Sequence, residues 1–339
     1  MKRKGVNDIE LLLSELDKQQ LCDFIRVECA NDRHFQQRFL SLGTGFLTSP
    51  KFCDYHARIM DVIEEFGDRH GYVEYSKTFR LNRAICQIID EADIAIQNYQ
   101  WDVAQTILDS IATSGEEILY CGDDSAGELG DILHYCFQKW HELSSDELLP
   151  EGKKSELFEL FLTHFAEGCL KEFDWWWDWI QMAIQLADDE EKQGRIIQEL
   201  DKVINIKGDE WGVNYNRQVA QRHKLEIMSK RGTPEEQFKF MYENVSNPDF
   251  RRRLLQMAWD RGDYKEVLRL AVDGATHDSN YAGLVNDWHK WELKVYRQTC
   301  DYEGSLRLTQ YFFFNGGRFA EEEYSMESMY HQMKSIVTK

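Results

Sequence analysis

Apolar residues recur every three and four positions along most of the chain. Ile59, Ile63 and Phe66 are spaced in this way and are followed by Gly67. A longer segment without Pro or Gly has the same spacing at five positions, Ile85, Ile88, Ile89, Ala92 and Ile96. Such spacing places the apolar side chains on one face of an α-helix. Because no segment alternates with period two between hairpin turns, the sequence predicts an all-α protein with almost no strand.

Three of the four prolines mark predicted helix starts. Each follows a residue whose side chain can cap a helix, in Ser49-Pro50, Thr233-Pro234 and Asn247-Pro248. Proline lacks the N–H that would have no partner in the first turn, so it fits the first helical position. Glu236 also stands three residues after Thr233, which is the spacing of a capping box.

An internal repeat is visible when three aromatic residues that follow predicted turns are superposed, namely Trp101, Tyr264 and Tyr302. Three residues after each comes a small or short residue, and six residues after each comes an aliphatic one. The first set is Ala104, Val267 and Ser305, and the second is Ile107, Leu270 and Leu308. Seven and six residues before the aromatic come Ile94-Ala95, Met257-Ala258 and Val295-Tyr296. The pattern predicts a helix, a tight turn and a second helix that approaches the first closely.

The repeat favours one extended array over two compact domains. Tyr264 and Tyr302 lie 38 residues apart, within the usual range of helical solenoid repeats. We therefore expect an α-solenoid of stacked antiparallel helix pairs, with TPR-like repeats, as one continuous array over residues 1–339. Its expected sub-blocks are N-terminal helices in 1–70, central repeats in 71–205 and TPR-like repeats in 206–339.

Five segments also carry a family resemblance. They are residues 16–21, 71–75, 127–131, 261–268 and 283–288, and they supply packing and turn motifs such as Arg261-Gly262-Asp263-Tyr264. In these segments the chain resembles the helical-repeat, TPR-like region of bacterial SWIM zinc-finger proteins and their uncharacterised relatives, and the resemblance extends over most of the chain. The Cys-x-Cys and Cys-x-His pairs of that zinc finger are missing here. The resemblance implies helical repeats and no catalytic residues.

Composition indicates whether the chain folds throughout, whether it contacts a membrane and whether its cysteines are reduced. Hydrophobic residues make up 42% and aromatic residues 13% of the 339 residues, so the chain has enough apolar surface to fold throughout. No apolar run approaches the roughly 20 residues that span a bilayer, and no signal peptide begins the chain, so we expect a cytoplasmic protein without membrane contact. The eight cysteines stand mostly among apolar residues and are expected to be reduced.

The net charge of −20 bears on the choice of partner. It repels phosphates and attracts basic surfaces, so direct nucleic acid binding is disfavoured and a protein or peptide partner with a basic surface is favoured. Between residues 116 and 151 there are ten acidic residues and one basic residue, Lys139. These carboxylates are either a solvated face or a docking surface. The candidate partner-binding residues are Glu116, Glu117, Asp123, Asp124 and Glu128.

A run of tryptophans gives the second candidate. Four of them, Trp175, Trp176, Trp177 and Trp179, lie within five positions and cannot share one helix face. They are either wedges between helix pairs or anchors for a partner, since tryptophan is enriched at interaction hot spots. Trp175, Trp176 and Trp179 are the candidate anchors.

The sequence offers few other candidates for a metal, catalytic or ligand-binding site. His134, Cys136 and His141 stand close together, but on a helix Cys136 points away from the two histidines, so we expect no metal site. A cation-rich segment at 216–232, which holds Arg217, Arg222, Lys224, Lys230 and Arg231, is a solvated face or a site for an acidic partner. No nucleophile elbow or phosphate loop is present, so we expect no catalytic residues and no cofactor.

The sequence thus predicts a non-catalytic scaffold or adaptor that binds a protein or peptide through its solenoid surfaces. The alternative is an accessory subunit of DNA-handling or helicase machinery, which only the zinc-finger relatives imply. An uncharacterised enzyme is the third hypothesis.

Overall fold

The computed structural model describes residues 15–32, 35–36, 39, 55–208, 210–315 and 322–337. In this part of the chain there are sixteen α-helices and no strand, apart from one isolated parallel bridge between Val73 and Gly122. Contacts between Cα atoms divide the chain into two compact units, Met1–Ile196 and Ile197–Lys339. Whether the repeats form one continuous array, and where its sub-blocks end, stays a prediction.

The described part of the first unit holds eight helices and the start of a ninth. They are α1 (Lys18–Asn31), α2 (Tyr55–Phe66), α3 (Tyr75–Gln97), α4 (Trp101–Thr113), α5 (Gly115–Tyr120), α6 (Glu128–Ser144), α7 (Glu151–Glu167), α8 (Trp176–Leu186) and α9 (Glu190–Ile204), which continues into the second unit. Helix α3 packs against α4 and α6, and α7 packs against α8. Trp140, Trp179 and Phe161 are fully buried and form the aromatic part of this core.

The second unit continues the pairing of successive helices. Its helices are α10 (Trp211–Arg231), α11 (Pro234–Glu243), α12 (Pro248–Asp260), α13 (Tyr264–His277), α14 (Ala282–Gln298), α15 (Tyr302–Asn315) and α16 (Met326–Val337), with a 3-10 turn at Glu322–Tyr324. Helix α13 packs against α12 and α14, and α15 packs against α14 and α16. The core here surrounds Trp288, with Leu255, Val267 and Ala271 among its buried members. The expected all-α fold of stacked helix pairs is confirmed.

The three superposed turns share one backbone geometry. Each has three residues between its helices, and the middle one is left-handed, with φ of 59° at Tyr99, 71° at Gly262 and 57° at Cys300. In each turn the third residue donates its N–H to the carbonyl five positions earlier. These bonds are Gln100 to Ala95 at 2.8 Å, Asp263 to Ala258 at 3.0 Å and Asp301 to Tyr296 at 2.9 Å. This is the Schellman motif, and it ends all three first helices in the predicted register.

The predicted helix starts agree with the structure where it describes them. Thr233 and Glu236 form both bonds of the capping box, with Thr233 N–H to Glu236 Oε2 at 2.9 Å and Glu236 N–H to Thr233 Oγ1 at 3.2 Å. Asn247 caps α12 by accepting from the Asp249 N–H at 3.1 Å. Ser49-Pro50 and Cys53 lie outside the described residues.

Across the described helices, none combines the length and the apolar character needed to cross a bilayer.

Candidate functional site

Most of the tryptophan run lies in the core of the first unit. Trp176 stacks on Phe165 with ring centroids 4.6 Å apart and planes 8° apart, and its Nε1 donates to the Phe165 carbonyl at 2.9 Å. Trp179 is fully buried, and its ring centroid lies 4.8 Å from that of Phe137. Trp177 is buried as well. These three side chains are wedges between α8 and its neighbours, so Trp176 and Trp179 are not accessible to a partner.

Trp175 differs because it stands just before α8 and is half-buried. Its ring meets the His134 ring edge-on, with centroids 5.9 Å apart and planes at 89°. It lines a groove of about 400 Å³ together with His134, Glu172, Phe173, Asp174 and Asp178. We call this the Trp175 groove. It places an indole beside three carboxylates in a concave surface.

The carboxylates of the groove carry charge that the described residues do not neutralise fully. Glu172 and Asp174 are exposed and have no Lys, Arg or His nitrogen within 4.0 Å in the described part of the chain. Asp178 lies 3.1 Å from His141 Nε2. Clefts lined by one sign of charge concentrate the field and attract ions of the opposite sign. The groove is therefore electronegative, with an aromatic face in its wall.

Two of the five predicted acidic residues have structural roles. The carboxylate of Asp124 accepts the N–H groups of Leu129 at 2.7 Å and of Gly130 at 3.2 Å, so it caps α6. Asp123 accepts the Ser125 N–H at 3.0 Å and the Ser125 hydroxyl, and these hydrogen bonds lower the pKa of Asp123. Each carboxylate thus fixes the loop that leads into α6.

The other three lie on helices around the same region. Glu116 and Glu117 are exposed in the first turn of α5, and Glu128 is half-buried at the start of α6, where its carbonyl accepts from Asn82 Nδ2 at 2.7 Å. None of the three lines the Trp175 groove. Helix α5 does reach the groove at its other end, since the Tyr120 ring lies 5.9 Å from the ring of Phe173.

The loop that holds Asp123 and Asp124, the acidic loop, meets the Trp175 groove at Gly130. A Cβ atom built on this residue would stand 3.6 Å from Asp124 Oδ2 and 3.8 Å from Trp175 Cη2. The structure therefore brings together two predicted residues, Asp124 and Trp175, from the two separate candidate sites. Sequence reasoning missed Glu172, Asp174 and Asp178 as members of the site. The available signal was that all three stand among the aromatic residues of 172–178.

The residues considered for a metal have separate partners. His134 lines the groove, His141 contacts Asp178, and the buried Cys136 directs its thiol to the Leu108 carbonyl at 3.4 Å. Across the described residues, no three His, Cys, Asp or Glu side chains converge in a way that would hold a metal ion. The seven described cysteines are free thiols.

The cation-rich segment of α10 is largely paired within the fold. Arg222 lies 2.8 Å from Asp249, and Lys224 lies 2.6 Å from Asp201. Arg217 donates to main-chain carbonyls at the end of α9 and beyond it, including that of Ile206 at 2.7 Å. Lys230 also has a partner, and the side chain of Arg231 lies outside the described part. The segment therefore does not present a row of uncompensated cations.

Comparison of the chain with protein-family models, with curated proteins and with solved structures gives no match in any of the three. The relation to the SWIM zinc-finger proteins stays a prediction.

Proposed function

We propose that this chain is a non-catalytic, cytoplasmic adaptor that binds a protein or peptide partner with a basic surface. In this proposal the Trp175 groove holds a lysine or arginine side chain of the partner. The observation that carries it is the position of the half-buried Trp175 beside Glu172 and Asp174, whose carboxylates have no Lys, Arg or His nitrogen within 4.0 Å in the described part of the chain.

The groove supplies both interactions that a basic side chain requires. An ammonium or guanidinium group over an indole face gains about 0.5 to 2 kcal/mol from the ring quadrupole. Glu172 and Asp174 add charge-assisted hydrogen bonds to the same group. The remaining carboxylates of the acidic segment, Glu116 and Glu117 among them, extend the negative field and increase the association rate. Such an interface weakens as salt rises, because the Debye length falls to about 10 Å at 0.1 M.

A fluorescein-labelled octalysine peptide tests this proposal by fluorescence anisotropy at low salt. We expect the double variant Glu172→Gln/Asp174→Asn to bind it at least about tenfold more weakly than the parent, and Trp175→Ala to bind it several-fold more weakly. All three side chains lie at the surface or half-buried, so the far-ultraviolet circular dichroism spectrum should not change.

The matched control is Glu64→Gln/Glu235→Gln. It removes the same two charges from exposed helical positions outside the groove. If binding depends only on net charge, this control will weaken octalysine binding as much as the groove variant does, and the Trp175 groove will then be rejected as the binding site.

A further inference from the structure

A second groove, of about 370 Å³, lies within the second unit and has a different chemistry. Its wall includes three aromatic side chains with large exposed fractions, Trp211 at 71%, Tyr215 at 37% and Tyr281 at 50%. The Trp211 and Tyr215 rings are stacked, with centroids 5.4 Å apart and planes 10° apart. We call it the Trp211 groove. An exposed tryptophan held by a stacked tyrosine is a pre-organised flat apolar surface.

The charged groups in the wall of the Trp211 groove are occupied. Asp278, which is 3% exposed, lies 2.7 Å from His277 Nδ1 and accepts from Trp288 Nε1 at 2.7 Å, so each carboxylate oxygen has a donor. Arg217 donates to the carbonyls of Ile204, Ile206 and Gly208. Asp278 and Arg217 therefore use most of their hydrogen-bonding capacity within the fold.

The exposed His277 ring, whose Nδ1 faces Asp278, also lines the wall. Most of the polar groups that remain are uncharged, and most of these can donate. Trp211 Nε1, the hydroxyls of Tyr215 and Tyr281, and the Gln218 amide make no hydrogen bond with the described residues. By contrast, Gln221 in the same wall uses both ends of its amide, with Asn244 at 2.8 Å and Asn247 at 3.0 Å. The groove therefore offers flat aromatic faces together with uncharged donors.

The common modes of peptide recognition differ in what they require. Strand addition needs a sheet edge, and the described residues contain no sheet. Recognition of an acidic or phosphorylated motif needs available arginines, and Arg217 is occupied. An amphipathic helix needs a continuous aliphatic floor, whereas Leu284 and Pro248 are the aliphatic residues of this wall. A polyproline II segment needs aromatic faces for its rings and donors for its carbonyls, which have no internal hydrogen bonds. Only the last requirement is met.

We propose that the Trp211 groove binds an uncharged, proline-rich segment of a partner protein in the polyproline II conformation. Proline rings stack on Trp211 and Tyr281, while indole and phenol groups donate to the main-chain carbonyls of the ligand. This interaction is independent of the Trp175 groove, because its residues and its ligand chemistry are different.

Fluorescence anisotropy with a fluorescein-labelled decaproline peptide tests the proposal on the full chain. We expect decaproline to bind more tightly than a glycine-serine peptide of equal length, with little dependence on salt. Trp211→Ala and Tyr281→Ala should each weaken binding by about tenfold, as expected for hot-spot aromatics. Trp211→Phe keeps an aromatic face, although a smaller one, and loses the Nε1 donor, so it should weaken binding less than Trp211→Ala does.

The control is Tyr330→Ala, which removes a tyrosine of similar exposure, 53%, from α16. It should bind decaproline as the parent does. Equal binding of decaproline and the glycine-serine peptide would overturn the proposal, as would unchanged binding by both groove variants. Displacement of decaproline by maltohexaose would also overturn it, because the groove would then be a carbohydrate site.

Discussion

The ring of Tyr296 lies directly against Gly304, where a Cβ atom would stand only 2.8 Å from ring carbon Cδ1. In the other two copies of the repeat, the position of Tyr296 is held by Ala95 and Ala258. The third copy therefore accommodates a large ring at the helix contact by having no side chain opposite it.

This contact predicts the sign of an alanine substitution. In an exposed helix, Gly→Ala stabilises by up to about 1 kcal/mol. Gly304→Ala should instead destabilise by about 1 to 3 kcal/mol, because the new methyl group overlaps the Tyr296 ring. The control is Gly283→Ala in α14, where no heavy atom lies within 4 Å of the new Cβ, and it should be neutral or stabilising. Urea unfolding of both variants measures the difference, and equal behaviour would show that the ring moves aside freely.

The short residue three positions after the aromatic in the first two copies predicts a cost for larger side chains. Ala104 and Val267 are both fully buried, as expected from the repeat. Trp at either position should destabilise by about 1 to 3 kcal/mol or more, because a packed core cannot accept the extra volume. Thermal unfolding followed by circular dichroism measures the loss. Two variants with the parent's melting temperature would contradict this assignment of the helix contacts.

The repeat could be predicted because its signals are local. Each signal depends on residues only a few positions apart. The signals are the turn residues, the small residue three positions after each aromatic, and the proline that follows a capping side chain. Residue type alone would not have predicted the turn at Cys300. This cysteine adopts the left-handed backbone geometry that glycine adopts at the equivalent position, Gly262. The position in the repeat predicted that turn better than the residue type did.

The Trp175 groove was only partly predictable because it depends on tertiary placement. Sequence alone could not decide which tryptophans are wedges, and burial of Trp176 and Trp179 leaves Trp175 as the accessible one. The proximity of Asp124 to Trp175 joins residues that lie 51 positions apart in sequence. Such a contact requires the packing of α6 and α8, which periodicity does not specify.

A buried ion pair between α2 and α3 gives the third prediction. Arg58 and Glu91 form two hydrogen bonds, at 2.8 Å and 2.7 Å, and both residues are buried. Glu91→Ala should destabilise by about 3 to 5 kcal/mol, because it removes a buried carboxylate that forms two hydrogen bonds with the guanidinium. The double variant Arg58→Met/Glu91→Met should be less destabilised than the single variant. Denaturant unfolding of the parent and both variants tests this ranking.

The fourth prediction concerns the reactivity of the thiols. Burial raises the pKa of Cys86 and of Cys169 to about 11. About one molecule in a thousand then carries the reactive thiolate at pH 8, and this fraction rises about tenfold for each pH unit up to 10. Iodoacetamide should therefore modify the exposed Cys300 before either of them at pH 8, as followed by peptide mass spectrometry. Modification of Cys86 as fast as Cys300 would contradict the burial argument.

The last prediction separates the structural and electrostatic roles of the acidic loop. Because Asp124 caps α6 with both carboxylate oxygens, Asp124→Ala should destabilise by about 0.5 to 2 kcal/mol, whereas Asp124→Asn keeps an acceptor and should cost less. Glu147→Ala, at an exposed position of the same segment, is the control and should leave stability within about 0.5 kcal/mol. If Asp124→Ala and Glu147→Ala unfold at the same urea concentration, the cap contributes nothing measurable. If Asp124→Ala unfolds at a lower urea concentration than Glu147→Ala, variants that test partner binding must carry Asn at 123 and 124. Asn keeps the acceptor that caps α6, so a loss of octalysine binding then reports on the removed charge and not on a destabilised α6.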